Sequence, residues 1–232
     1  MIDYKNRSLQ KEFLDQNNIP FRDIFLNMKE LEFINAHLGG HSITINGFKK
    51  LLEKRKTISV CEIGCGGGDN LNALNYFCEQ NRIICSFTGI DINKDCIAFA
   101  KENSTIENVN FIVSDYRNVD FKNEKPDIIF SSLFCHHFTN NELVEMLNWM
   151  KNNSTIGFFI NDLHRHPVAY RSIKIAAKLF SKSYLVKNDA PVSVLRGFKK
   201  REWENIFKEA GIKNYSIEWK WAFRFLIVAF NL

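Results

Sequence analysis

Four glycines stand close together where an apolar run of the sequence ends. The run 60–63 leads into Gly64, and Gly66, Gly67 and Gly68 follow within four residues. Glycines let the backbone turn sharply and approach a ligand with no Cβ in the way. A glycine-rich turn between a strand and a helix serves dinucleotides, phosphates or other small ligands, so the turn predicts a binding site without specifying its ligand.

The residue after these glycines, Asp69, limits which ligand the turn can hold. A dinucleotide fingerprint that starts at Gly64 requires a glycine at position 69. A carboxylate there would repel a pyrophosphate, and no Gly-Lys-Ser/Thr follows to make a Walker loop. We therefore expect Asp69 to be the N-cap of the next helix, and the free amides of the loop to bind a smaller anion such as an amino-acid carboxylate.

Two further acidic residues follow later apolar runs. Asp91 ends the run 83–90 and stands 23 residues after Gly68, which is the place of a carboxylate that accepts both ribose hydroxyls. Asp115 and Tyr116 follow the run 109–113 and suit the amino group and the face of an adenine. The alternative for Asp115 is a carboxylate that caps its own loop. Together these residues predict a nucleoside site.

Histidines are concentrated after two later runs. His136 and His137 follow 128–130, and His164 and His166 follow 156–160. A histidine with an ordinary pKa of about 6.5 can remove a proton from a bound hydroxyl. We favour His164 as this base, and His137 and His136 are the alternative bases. The other interpretation of His136 and His137 is that they cap the following helix or bond to backbone.

A zinc site made of Cys135, His136, His137 and His164 is the other chemistry these residue types allow. Adjacent side chains tend to diverge on a regular backbone, and no Cys-x-x-Cys supports such a site. We therefore expect no metal.

Short apolar runs alternate with helical segments in the middle of the chain. If the runs are strands, the glycines, acidic residues and histidines described above lie at the strand ends. The runs are 58–63, 83–90, 109–113, 128–130 and 156–160, and the helical segments are 70–80, 94–103 and 140–151. This alternation predicts a doubly wound α/β fold with a mostly parallel sheet. Two later runs, 215–219 and 223–230, are joined by three residues and must form a hairpin, which gives the sheet an antiparallel end.

The two remaining parts of the chain lie outside this sheet. Residues 1–56 contain helical patterns over 21–38 and about 45–55, with Gly39 and Gly40 between them, and we interpret them as an N-terminal helical lid. Residues 57–232 form the main domain, with a basic helical insertion at about 167–198. Three interpretations of the insertion are open: a mobile lid, a membrane-surface helix, or a helix packed on the sheet edge. We favour the last.

Composition excludes several classes of protein. The chain has 232 residues, 45% of them hydrophobic, which fits one globular domain. Six cysteines lie mostly in apolar runs, and no apolar stretch approaches the length of a membrane span. We therefore expect a cytoplasmic protein with reduced thiols. We expect it to be a monomer or a homodimer. A net charge of +5 without dense basic stripes makes nucleic acid an unlikely partner.

The spaced motifs together resemble the class I S-adenosylmethionine-dependent methyltransferases. The motifs are Glu62-x-Gly64-x-Gly66-x-Gly68, then Asp91, then Asp115, then the fourth strand 126–130. This resemblance covers 57–232 and implies a seven-stranded Rossmann-like sheet, with S-adenosyl-L-methionine (SAM) as cofactor and S-adenosyl-L-homocysteine (SAH) as product.

The resemblance also implies roles for individual residues. The glycine loop and Glu62 hold the methionine part of SAM, Asp91 holds the ribose and Asp115 the adenine edge. The expected cofactor site comprises Glu62, Gly64, Cys65, Gly66, Gly68, Asp91, Ile92, Asp115, Tyr116, Ser131 and Leu133.

The residues after the fourth strand narrow the choice of methyl acceptor. The chain has Ser131-Ser132-Leu133-Phe134 where amino-directed nucleic-acid methyltransferases have Asn/Asp-Pro-Pro-Tyr/Phe. The pattern Leu133-x-x-His136-His137 resembles bacterial methyltransferases of quinone, phenol or polyketide-type rings. We expect methyl transfer to a hydroxyl of an aromatic or polyketide-like small molecule. Carbon methylation of a phenolic ring, RNA or protein methylation, and a binding module without turnover stay open.

Overall fold

In the part of the chain that the structure describes, one seven-stranded sheet organises the molecule. The computed structural model describes residues 2–15, 19–122 and 124–231. The strands are β1 (Thr57–Ile63), β2 (Ile84–Asp91), β3 (Val109–Val113), β4 (Ile128–Ser132), β5 (Gly157–Leu163), β6 (Tyr215–Lys220) and β7 (Arg224–Phe230). Their order is β3-β2-β1-β4-β5-β7-β6. Strands β1 to β5 run parallel, and β7 is antiparallel to both β5 and β6. The predicted fold is confirmed.

Helices cover both faces of this sheet, as a parallel sheet requires. They are α1 (Phe21–His37), α2 (Gly40–Leu52), α3 (Asp69–Gln80), α4 (Lys94–Asn103), α5 (Asn140–Asn153), α6 (Pro167–Phe180), α7 (Tyr184–Arg196) and α8 (Lys200–Glu209). Phe48 and Leu71 pack on one face with Phe130, whereas Leu143 and Trp203 pack on the other. The crossovers therefore leave the carboxyl ends of β1 to β5 together at one edge.

Helix α2 does not belong to the lid that we expected residues 1–56 to form. Gly39 has a φ of +80° and precedes α2, which begins at Gly40, earlier than the pattern 45–55 indicated. A Cβ on Gly47 would lie 2.5 Å from the Phe159 ring, so α2 lies directly on the sheet and belongs to the core. Only α1 of this pair borders the cavity described below.

The insertion forms α6 and α7. Helix α6 packs chiefly against α7 and not on the sheet edge that we favoured. Its buried residues are Ala169 and Ala177. In the part of the chain that the structure describes, no helix combines the length and apolar character needed to cross a bilayer.

Candidate active site

The loop after β1 is fixed by backbone hydrogen bonds to β2. The amides of Gly64 and Cys65 donate to the carbonyl of Ile90, at 2.8 and 3.1 Å. Gly64, Gly66 and Gly68 have φ angles of +66°, +50° and +76°, which residues with a Cβ adopt at a cost. This geometry explains why glycines occupy these three positions, and it brings the loop to the wall of a cavity.

Asp69 is not the N-cap of α3, so that expectation is wrong. Gly68 occupies the N-cap position and Asp69 begins the helix. The Asp69 Oδ2 instead accepts hydrogen bonds from Asn35 Nδ2 at 2.9 Å and from His41 Nε2 at 2.8 Å. The side chain therefore ties α3 to the N-terminal helices.

Asp91 joins the glycine loop to the end of β2. Its Oδ2 accepts from the amide of Gly66 at 2.9 Å, and its Oδ1 accepts from the amide of Asn93 at 2.8 Å. Burial raises the pKa of this carboxyl, while the two amides oppose the rise. Asp91 lines the cavity together with the exposed side chain of Ile92. The carboxylate thus fixes the glycine loop at the wall of the cavity.

Asp115 and Tyr116 lie at the end of β3, on the same cavity wall. The amide and the guanidinium of Arg117 both donate to the Asp115 carboxylate, and this ion pair lowers its pKa. The buried Tyr116 ring packs edge-on against Phe134 and Trp149. The loop-capping contact weighed for Asp115 is therefore present, alongside its position at the cavity.

Most of the predicted cofactor residues line this cavity, and two do not. Gly68 lies behind the loop, where a Cβ would lie 3.3 Å from the Phe111 ring. Ser131 is buried in β4, with its Oγ 3.3 Å from Cys135 Sγ. Leu133 lies on the wall, in a backbone conformation with a φ of +53°. The structure thus brings nine of the eleven residues together.

His136 is buried between two carboxylates. Its Nδ1 lies 2.8 Å from Asp162 Oδ1, and its Nε2 lies 3.4 Å from Glu12 Oε1. Burial lowers the pKa of His136, but the two carboxylates outweigh it and raise the pKa to about 9. The ring is therefore protonated at neutral pH and balances the two carboxylates.

His137 has the more accessible ring of this pair. Its Nδ1 lies 3.1 Å from Asp15 Oδ1, and its Nε2 lies 3.8 Å from Glu12 Oε2. Burial raises the pKa of Asp15, but the hydrogen bond with His137 outweighs it and the pKa falls to about 2. Both histidines line the cavity.

The backbone of the histidine pair is clamped by arginines from distant segments. Arg196 donates from Nε to the carbonyl of His136 at 3.0 Å, and from Nη2 to that of His137 at 2.8 Å. Arg7 Nη2 donates to the carbonyls of His136 and Phe138. These contacts fix the short 3₁₀ turn Cys135–His137 after β4.

The expectation that adjacent side chains diverge is wrong for His136 and His137. The rings of His136 and His137 do not diverge, because on this turn their centroids lie 4.4 Å apart, and one nitrogen of each lies within 4.8 Å of a Glu12 oxygen. Cys135 and His164 do not join them. Cys135 is buried against Ser131 and Met146, so the four residues considered for zinc form no common site.

His164, our preferred base, is not on the cavity wall. Side chains alternate along β5, so Leu163 faces the cavity and His164 faces away from it. The His164 ring packs near Phe223 and Phe225, and burial lowers its pKa. The position of His164 outside the cavity lining therefore does not support our preference for it as the base.

A model of the methyltransferase domain matches residues 54–211, which is more than half of the chain. The chain belongs to this methyltransferase family. No curated protein matches the sequence. The fold is similar to the plantazolicin methyltransferase BpumL in complex with SAH, with a TM-score of 0.67, 18% identity, and coverage of 91% of this chain and 90% of that one.

Two further solved structures share the fold of the methyltransferase. A SAM-dependent methyltransferase from Aquifex aeolicus has a TM-score of 0.65 and 16% identity, over 93% of this chain and 100% of that one. The magnesium protoporphyrin IX methyltransferase ChlM from Synechocystis PCC 6803 with bound SAM has a TM-score of 0.58 and 12% identity, over 94% and 100%. The resemblance to class I SAM-dependent methyltransferases is confirmed, and SAM is the cofactor.

The polar groups of the methyltransferase cavity fit this cofactor. Glu62 is buried beside the glycine loop, and its Oε2 has no hydrogen-bond partner within the described residues. Burial raises the pKa of Glu62 well above its usual range, and the nearby Asp69 and Asp91 add to this rise. An unsatisfied buried acceptor calls for a donor. The amino group of a methionine moiety is such a donor, and it would bring the positive charge that the three carboxyls lack.

Several residues of the methyltransferase site were missed by sequence reasoning. Glu12, Asp15 and Arg7 come from the N-terminal segment, and Asp162 comes from β5. Only the position of Asp162 near the end of a strand gave a signal. No local pattern places an acidic residue about 120 positions earlier against a histidine.

Proposed function

We propose that this methyltransferase transfers the methyl group of SAM to a hydroxyl of an aromatic or polyketide-like small molecule, with His137 as the base. One observation carries the proposal: the His137 imidazole lies on the wall of the cavity that the glycine loop and Asp91 also line. A base at that position meets the hydroxyl of a second molecule bound beside the cofactor.

His137 is the better base of the pair. His136 holds its proton between Asp162 and Glu12, with a pKa of about 9. We propose that the Asp15 carboxylate accepts the Nδ1 proton of His137. His137 Nε2 lies 3.8 Å from Glu12 Oε2, which is beyond hydrogen-bond distance, so Nε2 can accept a proton from the substrate. We propose that Asp15 positions this ring.

The cofactor supplies an electrophilic methyl group on a sulfonium. The residues of the chain orient the acceptor oxygen toward that methyl group and exclude water. With SAM bound, the acceptor oxygen would bond to the methyl carbon while the carbon–sulfur bond breaks with its electron pair going to sulfur, and His137 Nε2 would take the hydroxyl proton. The products are the methyl ether, SAH and a protonated imidazole, so atoms and charge balance.

The cavity has room for both molecules. Its volume is about 1520 Å³, whereas sites for a single small ligand usually occupy about 300–1,000 Å³. The cavity lining includes the apolar and aromatic side chains of Phe134, Phe138, Ile173, Val194 and Trp219, and the Phe134 ring lies next to that of His137. Two similar structures are named for plantazolicin and magnesium protoporphyrin IX rather than for RNA or a protein substrate. These features support a ring-bearing small acceptor, with α1 and the insertion as the walls that close over it.

The test is to incubate the protein with isotopically labelled SAM and a panel of phenolic acceptors, and to detect products by mass spectrometry. We expect His137→Ala to lower turnover by about a hundredfold or more, with SAM affinity unchanged. The matched control is His164→Ala, which removes an imidazole away from the cavity and should leave turnover close to that of the wild type.

Other outcomes would overturn this assignment. Near-normal turnover in His137→Ala would exclude it as the base. Label found only in RNA or protein would contradict a small acceptor. SAM binding with no transfer to any acceptor would indicate a binding module. Carbon methylation of a phenolic ring needs the same base, and nuclear magnetic resonance of the product separates it from oxygen methylation.

A further inference from the structure

Helix α6 carries an apolar stripe on its outward face. Val168, Ile175 and Leu179 are separated by seven and four residues, which places them on one side of the helix. Ile175 is 60% exposed and Leu179 is 68% exposed. The inward side of the same helix lines the cavity with Ala169, Ser172, Ile173 and Ala176. The side that lines the cavity includes the buried Ala169 and the half-buried Ile173 and Ala176, whereas the stripe is exposed along its length.

The segment that bears the stripe is uniformly basic. Residues 167–188 contain five cationic side chains and no Asp or Glu. The cations are Arg171, Lys174, Lys178, Lys182 and Lys187. Among the ion pairs formed within the described residues, none includes any of these five. Arg171, Lys174 and Lys178 follow one edge of the stripe, because they are spaced by three and four residues.

The stripe continues into the hairpin at the mouth of the cavity. Trp219 and Trp221 are 53% and 72% exposed, and both line the cavity. The His166 ring, at the N-cap of α6, stacks on Phe223 with centroids 4.9 Å apart. Phe223 in turn contacts Trp219 edge-on at 6.1 Å. The helix and the hairpin therefore form one rim.

We propose that this rim, defined by the outward face of α6 and the two tryptophans, docks on the surface of a bilayer that contains anionic lipid. The apolar stripe would enter the boundary between headgroups and acyl chains, and the cations beside it would meet the anionic headgroups. Tryptophan is favoured at that boundary, because its ring is apolar and its N–H is polar.

Charge decides between the bilayer and other occupants. A second copy of this chain would bring its own five cations against the same five, which is repulsive. A nucleic acid would pair with the cations but leave Ile175 and Leu179 in water. An anionic bilayer satisfies both the charge and the apolar surface.

The geometry has a consequence for the acceptor. Ser172 and Ala176 of α6 line the cavity next to the stripe, so the mouth would open at the membrane surface. A lipophilic acceptor dissolved in the bilayer could then enter without crossing water. This consequence rests on the proposed function, whereas docking itself does not.

Cosedimentation of the full-length protein with vesicles tests the proposal. Vesicles of phosphatidylcholine alone are compared with vesicles that also contain phosphatidylglycerol, at low and high salt. We expect binding to the anionic vesicles, weakened by salt, with a blue shift of tryptophan fluorescence. Ile175→Ser with Leu179→Ser should weaken binding by roughly a hundredfold. Changing Arg171, Lys174 and Lys178 to Gln should weaken it by at least about tenfold.

Two matched controls lie at the amino ends of β1 and β2, opposite the carboxyl ends that border the cavity. Ile84→Ser removes an equally exposed apolar side chain at the start of β2, and Lys54, Arg55 and Lys56 changed together to Gln remove three exposed cations before β1. Both should bind vesicles like the wild type. The stripe variant should keep wild-type methyl transfer to a water-soluble acceptor, which separates a failure of docking from a failure of the proposed function.

The proposal is overturned if the wild type fails to bind anionic vesicles, or if the controls lose as much binding as the stripe and cation variants. It is also overturned if light scattering shows a dimer that the stripe variant converts to a monomer, since a second copy would then cover the stripe. Binding to RNA that depends on the three cations but not on the stripe would equally contradict it.

Discussion

The two ends of the cavity are held together by different forces. At the cofactor end, backbone amides of the glycine loop bond to the Ile90 carbonyl and to the Asp91 carboxylate. At the other end, where we propose that the acceptor binds, the histidine pair is fixed by charged side chains from the N-terminal segment, β5 and α7. We call this the acceptor end. The cofactor end is therefore a backbone structure and the acceptor end is an ionic one.

The two ends also differ in how far apart in the sequence their residues lie. The cofactor end is built from the glycine loop and the ends of the strands β2 and β3, where we expect SAM to bind whatever the acceptor. The acceptor end is assembled from four segments far apart in the chain, so single substitutions there can reshape the site without disturbing the loop. We infer that cofactor binding and acceptor choice are separable in this molecule.

The pH dependence of stability should show the ionic end most strongly. The pKa of His136 is raised to about 9 in the folded protein from an ordinary value of about 6.5. Its contribution to stability is therefore fully present below about pH 6.5 and is lost as the pH rises through about 9. The shift corresponds to about 3 kcal/mol, measurable by urea unfolding across this range.

The variant His136→Gln provides the comparison for that measurement. It should be less stable than the wild type, since Asp162 loses its partner, but its stability should fall less between about pH 6.5 and pH 9. Parallel curves for the two proteins would show that His136 is not held as a cation.

The same division explains how much the sequence could predict. The strands, the hairpin and the loop were predictable because alternation, glycines and strand-end acids are local signals, and Asp91 lies within 30 residues of Glu62. The contacts of Glu12 and Asp15 with the histidine pair were not, because no period or spacing encodes them. His164 was misplaced for a simpler reason: strand β5 extends to Leu163, and one residue more reverses the face.

Asp91→Ala should weaken SAM binding by about 1.5 to 3 kcal/mol, because charge-assisted hydrogen bonds to the ligand and to the Gly66 amide are both lost. Isothermal titration calorimetry measures this directly. Asp120→Ala removes the same charge from an exposed position away from the cavity and should leave affinity unchanged. If Asp91→Ala also binds SAM normally, the ribose lies elsewhere and the cofactor end is wrongly assigned.

Gly64→Ala and Gly211→Ala separate backbone conformation from close packing at the cofactor end. The two glycines have nearly the same φ, +66° and +68°, so an alanine meets a similar left-handed cost of about 1–2 kcal/mol at each. A Cβ at Gly211 has nothing within 4 Å, whereas one at Gly64 would lie 2.3 Å from the Phe134 ring.

Gly64→Ala should therefore be less stable than Gly211→Ala by at least about 1 kcal/mol in denaturant unfolding, because the new Cβ overpacks the site. It should also weaken SAM binding, since Phe134 lines the cavity and must move, whereas Gly211→Ala should bind SAM normally. Equal losses of stability with intact binding in both variants would mean that the loop yields to a Cβ. The contrast between a rigid backbone end and an adaptable ionic end would then fail.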